Sequence, residues 1–90
     1  MSAIRYALSR HAALKIRHHG HVLVLPERAI RIEGSGGEIL ELLDGERTRE
    51  EITAILDERY PGTDGIDQEV ERFLGEMIEM GGVVERGVDT

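Results

Sequence analysis

The stretch from Val22 to Ile52 changes its hydrophobic period part-way, and this change constrains the fold more than any other feature of the chain. Up to Glu33 the apolar residues come in short β-branched runs interrupted by Pro26, which is typical of strands. From Ser35 onward they recur three and four positions apart, which indicates helices. A chain in which strands come first and helices follow is expected to form an α+β domain.

Three antiparallel strands are predicted before the helices. Residues 13–17 and 21–25 flank a turn that contains Gly20, so they predict a β-hairpin. Pro26 ends the second strand because proline has no backbone N–H to donate. Residues 29–33 form the third strand, which is the last before the chain leaves the sheet. Its outer edge is therefore expected to be free to pair with another extended chain.

Three helices are predicted in the second half of the chain. Ser35 with Glu38, and again Thr48 with Glu51, match the capping box that starts a helix. Asp67 is the expected N-cap of the third helix. That helix carries an apolar stripe with helical spacing, formed by Val70, Phe73, Leu74, Met77 and Ile78. The stripe either fills the core or lines a groove for a ligand, and the spacing alone leaves both readings open for Phe73, Leu74 and Met77.

The length of 90 residues corresponds to a single small domain. We expect residues 1–12 to form a flexible N-terminal arm, residues 13–84 the folded domain and residues 85–90 a C-terminal tail. The absence of cysteine excludes disulfides, thiolate metal sites and a cysteine nucleophile. No apolar run approaches the roughly 18 residues of a membrane helix, and no signal peptide is recognisable, so a cytoplasmic protein without a membrane partner is expected.

The charge of the chain is unevenly distributed. Residues 1–32 contain six Lys/Arg and one acid, whereas residues 33–90 contain five Lys/Arg and seventeen acids. Such a split indicates either an electrostatic role in binding a partner or solvated acidic faces on the helices.

Three short helices after three strands favour a winged helix-turn-helix-like architecture, which raises the question of DNA binding. The polar positions of the third helix are Gln68, Glu69, Glu71, Arg72, Glu76 and Glu79. Phosphate groups would be repelled by this face, and the sequence pI near 5.0 argues in the same direction. A nucleic-acid partner is therefore not expected, and a winged-helix transcriptional regulator remains the alternative from a different functional class.

The residue types that carry catalysis or bind metals form no recognisable motif. The histidines are His11, His18, His19 and His21. Neighbours on an extended chain point to opposite faces, and two imidazoles alone make a poor metal site. The helix acids lie off the apolar stripes, and they are Glu41, Glu50, Glu51, Asp57 and Glu58. The glycine-rich residues 34–37 lack the Lys-Ser/Thr of a phosphate-binding loop. We therefore expect no enzyme, no catalytic residue, no metal and no cofactor.

Several motifs together resemble the PqqD family over residues 13–84. They are Leu25-Pro26-Glu27, Glu38-Ile39-Leu40, Asp44-Gly45-x-Arg47-Thr48, and the V-x-x-F-L helix at Val70–Leu74 with Gly81-Gly82 after it. The resemblance implies a peptide chaperone with a winged-helix-like fold in the biosynthesis of pyrroloquinoline quinone (PQQ). Such a chaperone binds the leader of the precursor peptide PqqA and presents it to the radical SAM enzyme PqqE.

The sequence also departs from the usual family pattern at Ile32-Glu33, Gly36-Gly37, Leu43 and Gly82. These departures leave open whether the guest is PqqA or the precursor of another ribosomally made modified peptide, such as a lasso peptide or a sactipeptide. Exchange of the N-terminal strands between two copies, which would give a homodimer, also stays open.

The resemblance further implies that the leader adds as a strand to the third strand and packs against the third helix. In this sequence the corresponding peptide-binding residues are Arg28, Ala29, Ile30, Arg31, Ile32, Glu33, Val70, Phe73, Leu74 and Met77. The residue patterns lead to the same two elements, because one offers a free edge and the other an apolar stripe. Arg28 and Arg31 are expected to pair with acids on the peptide.

Overall fold

The computed structural model describes residues 3–18 and 20–88, which form six strands and three helices. In chain order these elements are β1 (Ala3–Leu8), β2 (Ala13–Arg17), β3 (Gly20–Val24), β4 (Ala29–Ile32), α1 (Gly36–Glu41), β5 (Asp44–Thr48), α2 (Arg49–Arg59), α3 (Ile66–Met80) and β6 (Val83–Val88). The strands form two antiparallel three-stranded sheets, with the orders β2-β3-β4 and β5-β1-β6. The predicted α+β class is confirmed, and the winged helix-turn-helix label stays a prediction.

The sheet β2-β3-β4 consists of the three strands that the sequence predicted. In its register Leu23 lies opposite both Leu14 and Ile30. Directly paired residues point to the same face, so this row of apolar side chains turns toward the helices. Leu23 is fully buried, and Leu14 and Ile30 are half-buried against the core. The alternation of apolar and polar residues therefore sets which face of this sheet meets the core.

The sheet β5-β1-β6 was not foreseen, and it corrects two predictions. The flexible arm predicted for residues 1–12 is wrong for Ala3–Leu8, which forms the central strand β1 and pairs with β6 from Ala3↔Val88 to Leu8↔Val83. The tail predicted from residue 85 onward is likewise part of strand β6 as far as Val88. Residues 1–12 have no clear hydrophobic period, so the sequence did not indicate β1. Its strand structure depends on pairing with β5 and β6, which lie far along the chain. Residues 1, 2, 89 and 90 lie outside the described ranges.

Only one of the two predicted capping boxes forms. The Thr48 hydroxyl accepts a hydrogen bond from the backbone N–H of Glu51 at 3.2 Å, and the Glu51 carboxylate accepts one from the backbone N–H of Thr48 at 2.8 Å. Ser35 is the N-cap of α1, but its side chain makes no capping hydrogen bond. The backbone of Ser35 is helical, with φ of −78° and ψ of −5°, whereas that of Thr48 is extended as an N-cap requires. The other half of the box is lost because the Glu38 carboxylate is bonded to residues at the end of α2.

The N-cap of helix α3 lies two residues before the position that the sequence predicted. Its N-cap is Gly65, which adopts a left-handed conformation with φ of 82°, whereas Asp67 lies in the first turn. Gly81 ends the helix in the same left-handed region, with φ of 85°. With 15 residues α3 is the longest of the three helices, and no helix in the described ranges is long and apolar enough to cross a membrane.

The core lies between the two sheets and the apolar stripes of the helices. All three helices and strands of both sheets contribute to one cluster of buried side chains, which includes Tyr6, Leu23, Ile39, Ile52, Leu56, Val70, Leu74 and Val83. No polar or charged residue among those described is fully buried. Every charged residue described is therefore at least partly exposed.

Candidate peptide-binding edge and cavity

Strand β4 has one paired and one free edge. It pairs with β3 from His21↔Ile32 to Val24↔Ala29, and no described strand pairs with its other side. The predicted free edge is therefore confirmed. Such an edge presents backbone N–H and C=O groups that can form a ladder with an added strand.

The outer face of the same sheet carries a row of cationic side chains. Lys15 and Arg31 both lie opposite Val22, so they point to the face away from the core, and Arg17 lies further along β2. Arg28 precedes β4 and is exposed as well. Within the part of the chain that the structure describes, these four side chains form no hydrogen bond or ion pair. The arginines of the helical half differ, because Arg47, Arg49, Arg59 and Arg72 all pair with carboxylates.

Strand β4 and helix α3 approach each other at Gly36, the first residue of α1. A Cβ atom at Gly36 would lie 2.6 Å from Cε1 of Phe73 and 2.7 Å from Cγ2 of Ile32. These distances are shorter than carbon atoms tolerate, so a side chain at this position would push the two elements apart. The close approach holds the edge of β4 beside α3.

A cavity of about 590 Å³ opens beyond the end of β4, between α1, the end of α2 and the start of α3. Its floor consists of Ile39, Leu56 and Val70, all of them buried core residues. Its rim carries the carboxylates of Glu38, Asp64 and Glu69. No local sequence pattern predicts this cavity, since the residues of its walls are far apart along the chain.

The rim carboxylates differ in how far they are neutralised. Glu38 accepts a hydrogen bond from Arg59 at 3.1 Å and another from the hydroxyl of Tyr60. The hydrogen bond to Glu38 raises the pKa of Tyr60, because the hydroxyl proton of Tyr60 is stabilised by the carboxylate that accepts it. Asp64 forms no ion pair with any described residue.

Glu69 shares its partner with another carboxylate. Arg72 donates to Glu69 at 2.6 Å and to Glu76 at 2.7 Å, so one cation faces two carboxylates. No lysine or arginine of the described ranges lines the cavity itself. The rim therefore carries an excess of negative charge.

The histidines and the helix acids are arranged differently from a metal or acid–base site. His21 Nε2 lies 2.5 Å from Glu41 Oε2, and its ring packs on the backbone at Gly37. In the described ranges no group of three or more His, Cys, Asp or Glu residues is placed to hold a metal ion, and His19 lies outside those ranges. The five acids that the sequence pattern assigned to solvated faces of α1 and α2 are all exposed: Glu41, Glu50, Glu51, Asp57 and Glu58.

A family model described as "Coenzyme PQQ synthesis protein D (PqqD)" matches residues 20–83. The chain belongs to the PqqD family. It is 46% identical over 54 residues to the "PqqA binding protein" of Pseudomonas aeruginosa and 43% identical over 54 residues to that of Azotobacter vinelandii. Each alignment covers 60% of this chain and 59% of the relative, so the chain spans about three fifths of the length of the curated relatives it matches.

Two solved structures share the fold of this PqqD family member. One is the solution NMR structure of the PqqD truncation of Methylobacterium extorquens PqqCD, described as a stand-alone RiPP recognition element, with a TM-score of 0.75 over 88% of this chain and 87% of that chain. The other is the heterocyclase TruD, with a TM-score of 0.66 over 96% of this chain and 12% of that chain. Both are 24% identical in sequence, so the likeness shows the fold alone.

The residues that the PqqD resemblance implied fall into an exposed and a buried set. In and around β4, Arg28, Ala29, Arg31 and Glu33 are exposed, Ile30 is half-buried and Ile32 is buried. In α3, Val70, Phe73, Leu74 and Met77 all belong to the core, with 0 to 7% of their surfaces exposed. Of the two readings of the stripe, the structure thus favours the core. The part that each residue takes in peptide binding stays a prediction.

Proposed function

We propose that this chain is a non-enzymatic peptide chaperone of PQQ biosynthesis that binds the leader of a PqqA-type precursor by strand addition to β4. The free edge of β4 is the observation that carries the proposal. Membership of the PqqD family supports it, as do relatives named "PqqA binding protein". In this role the chain would act in the cytoplasm and present the bound peptide to the radical SAM enzyme PqqE.

Backbone pairing alone would give weak binding. About half of the residues in a strand direct their N–H and C=O groups to each side, so the four residues of β4 offer about four hydrogen bonds to a guest. At about 1 kcal/mol net for each bond, the sum barely exceeds the cost of ordering a flexible peptide. Side-chain contacts must therefore supply most of the affinity and all of the specificity.

The cationic outer face supplies one set of such contacts. Arg28 and Arg31 are exposed, unpaired in the described ranges and next to the free edge. An acidic residue on the outer face of an added strand would pair with Arg31, and one beside the start of β4 would pair with Arg28, each exposed pair contributing under about 1 kcal/mol. The same charges would raise the association rate for an acidic leader.

The inner face of the added strand would meet α3 and the cavity. Val70 forms part of the cavity floor, and Phe73 meets Ile32 at Gly36, so these two residues of α3 lie nearest to the guest's path. Leu74 and Met77 are also buried, at 2% and 3% exposed, but they neither line the cavity nor lie at Gly36, and we assign them to the support of this contact. Inward side chains of the leader would thus pack between β4 and α3.

The test is an NMR titration of the ¹⁵N-labelled protein with a synthetic PqqA peptide. Strand addition predicts shift changes in residues 28–33 and 70–77. A matched pair of peptides sharpens the result: N-methylation of alternate leader residues removes the donors that face β4, whereas methylation of the intervening residues leaves them intact. The first peptide should lose binding and the second should keep it. Equal binding of both peptides, or shifts confined to other regions, would refute strand addition.

The second candidate function is recognition of the leader of another ribosomally made modified peptide. The likeness in fold to the heterocyclase TruD favours it. Titration with precursor peptides of lasso peptide and sactipeptide systems separates the two candidates, since the cognate leader should bind most tightly. A winged-helix regulator would instead retain DNA in a gel shift at about 50 mM salt, which the acidic face of α3 disfavours.

A further inference from the structure

The cavity beyond β4 has a charge opposite to that of the sheet next to it. Its rim carries three carboxylates, of which Asp64 is unpaired among the described residues and Glu69 shares Arg72 with Glu76. The start of α3 also faces the cavity at Gly65 and contributes roughly half a positive charge. The acids Asp67 and Glu69 in the first turn of α3 outweigh this contribution. A cation is therefore favoured at the rim over an anion.

The shape of the cavity adds a second requirement to its charge. Half-buried Ile66 and exposed Tyr60 give the cavity an accessible apolar wall above the buried residues Ile39, Leu56 and Val70, and the carboxylates lie around the mouth. An aliphatic stem can pack on such a wall while its charged head stays at the rim, as lysine and arginine side chains do. We propose that this cavity binds a lysine or arginine side chain of the guest peptide. This inference rests on the proposed function, because strand addition to β4 brings the guest to the cavity.

The positions of the cavity and of Arg31 fix the charge pattern of the guest. The cavity begins at Gly34 and Ser35, just past the end of β4, and its floor belongs to the core side of the sheet. Arg31 lies on the opposite, outer face. Side chains alternate between faces along an extended strand, so the guest's cation and its acid must be an odd number of residues apart. Arg31 and Ser35 are four positions apart in this chain, so the nearest odd separations along an extended guest are about three and five residues.

The order of the two charges follows from the direction of the added strand. An antiparallel guest would continue the pattern of its sheet, and its earlier residues would then lie at the cavity end of β4. The basic residue should therefore precede the acidic residue in the guest sequence. The expected pattern is a basic residue followed, about three or five positions later, by an acidic residue.

The probe is a phage-displayed library of random twelve-residue peptides, selected on the full chain. Selected peptides are synthesised, and NMR shifts of residues 28–33 identify those that bind at β4. Each of these peptides is then compared with a version in which norleucine replaces the basic residue. Norleucine keeps the aliphatic stem and removes the charge, so a loss of up to about fivefold in affinity is expected at low salt, with a smaller loss at high salt.

Two protein variants localise the effect to the cavity. Asp64→Asn removes a rim charge, whereas Asp57→Asn removes an exposed charge of α2 that does not line the cavity. Both variants change the net charge equally. The difference between the basic and the norleucine peptide should shrink in Asp64→Asn and persist in Asp57→Asn, as a double-mutant cycle requires.

The outcomes separate this inference from the proposed function. Selected peptides that shift residues 28–33 but bind equally well with norleucine would overturn the cavity inference and leave strand addition intact. A consensus with the acid before the basic residue would overturn the antiparallel order. If no selected peptide shifts residues 28–33, the proposed function fails, and the cavity inference fails with it. Enrichment of arginine rather than lysine would support the inference equally.

Discussion

The close approach of β4 and α3 can be tested by placing the same side chain at two glycines with different surroundings. At Gly36 a new Cβ would lie 2.6 Å from Phe73 and 2.7 Å from Ile32, whereas at Gly75, within α3, nothing lies within 4 Å. Gly36→Val therefore adds volume where there is no space, and Gly75→Val adds the same volume to an exposed helix surface.

The expected difference follows from two terms. Replacing glycine by valine gains about 0.3–0.5 kcal/mol of propensity at Gly75 in the interior of α3, and less at Gly36, the first residue of α1. Overpacking at Gly36 costs about 1–3 kcal/mol, because Phe73 and Ile32 are each only 7% exposed and cannot move into solvent freely. Gly36→Val should thus be about 2 kcal/mol less stable than Gly75→Val, out of a total of about 5–10 kcal/mol for a domain of this size.

Urea denaturation followed by circular dichroism measures the two free energies of unfolding. A difference of about 2 kcal/mol corresponds to a gap of roughly 8–16 °C between the two midpoints of thermal unfolding. Gly36→Val should also weaken peptide binding at β4, since the added methyl groups separate β4 from α3. Equal stability of the two variants would refute the packing described at Gly36, and with it the argument that this glycine holds the binding edge beside α3.

Three further predictions concern the helix starts and the titrating groups. Thr48→Ala should lower the free energy of unfolding by about 1 kcal/mol in urea denaturation, whereas Ser35→Ala should change it little, because only Thr48 makes a capping hydrogen bond; equal losses would contradict this assignment. Backbone N–H donation from Thr48 lowers the pKa of Glu51 below its ordinary 4.5, so the stability that it contributes is present above pH 4.5 and is lost as the pH falls through the lowered value. The free energy of unfolding, measured in urea from about pH 6 to pH 3, should fall more in the wild type than in Glu51→Gln. Parallel curves for the two proteins would show that this hydrogen bond does not cause the loss of stability. The hydrogen bond to Glu38 raises the pKa of Tyr60, so Glu38→Gln should lower that pKa toward 10.0 in an NMR titration of the ring; an unchanged value would place the hydroxyl elsewhere.

Much of the candidate site could be predicted from local patterns. The hairpin β2-β3 and the strand β4 follow from alternating residues around Gly20 and Pro26, and the stripe of α3 follows from its spacing. These features depend on neighbours a few positions apart, so the sequence contains all that is needed to see them. The position of β4 as the last strand before the helices also made its free edge predictable.

The remaining site depends on contacts between distant residues. The cavity requires Glu38, Leu56 and Val70 to come together from three helices. The Glu38 half of the capping box at Ser35 is lost for a related reason, since the Glu38 carboxylate bonds to Arg59 of α2. Which residues of the stripe face the core and which face the cavity is likewise decided by the packing of α3 on its neighbours. A periodic pattern identifies an apolar face but does not identify what covers it.

The sequence by itself determined the α+β class, the three strands of the sheet β2-β3-β4, the three helices and the separation of basic and acidic halves. Only the tertiary structure decided that Ala3–Leu8 is the central strand of a second sheet, in which the polar residues Asp44–Thr48 form β5 and Val83–Val88 form β6. Those segments lack a strong period of their own. They become strands because β1 exchanges backbone hydrogen bonds with both β5 and β6, and this pairing forms only when three segments distant in sequence meet.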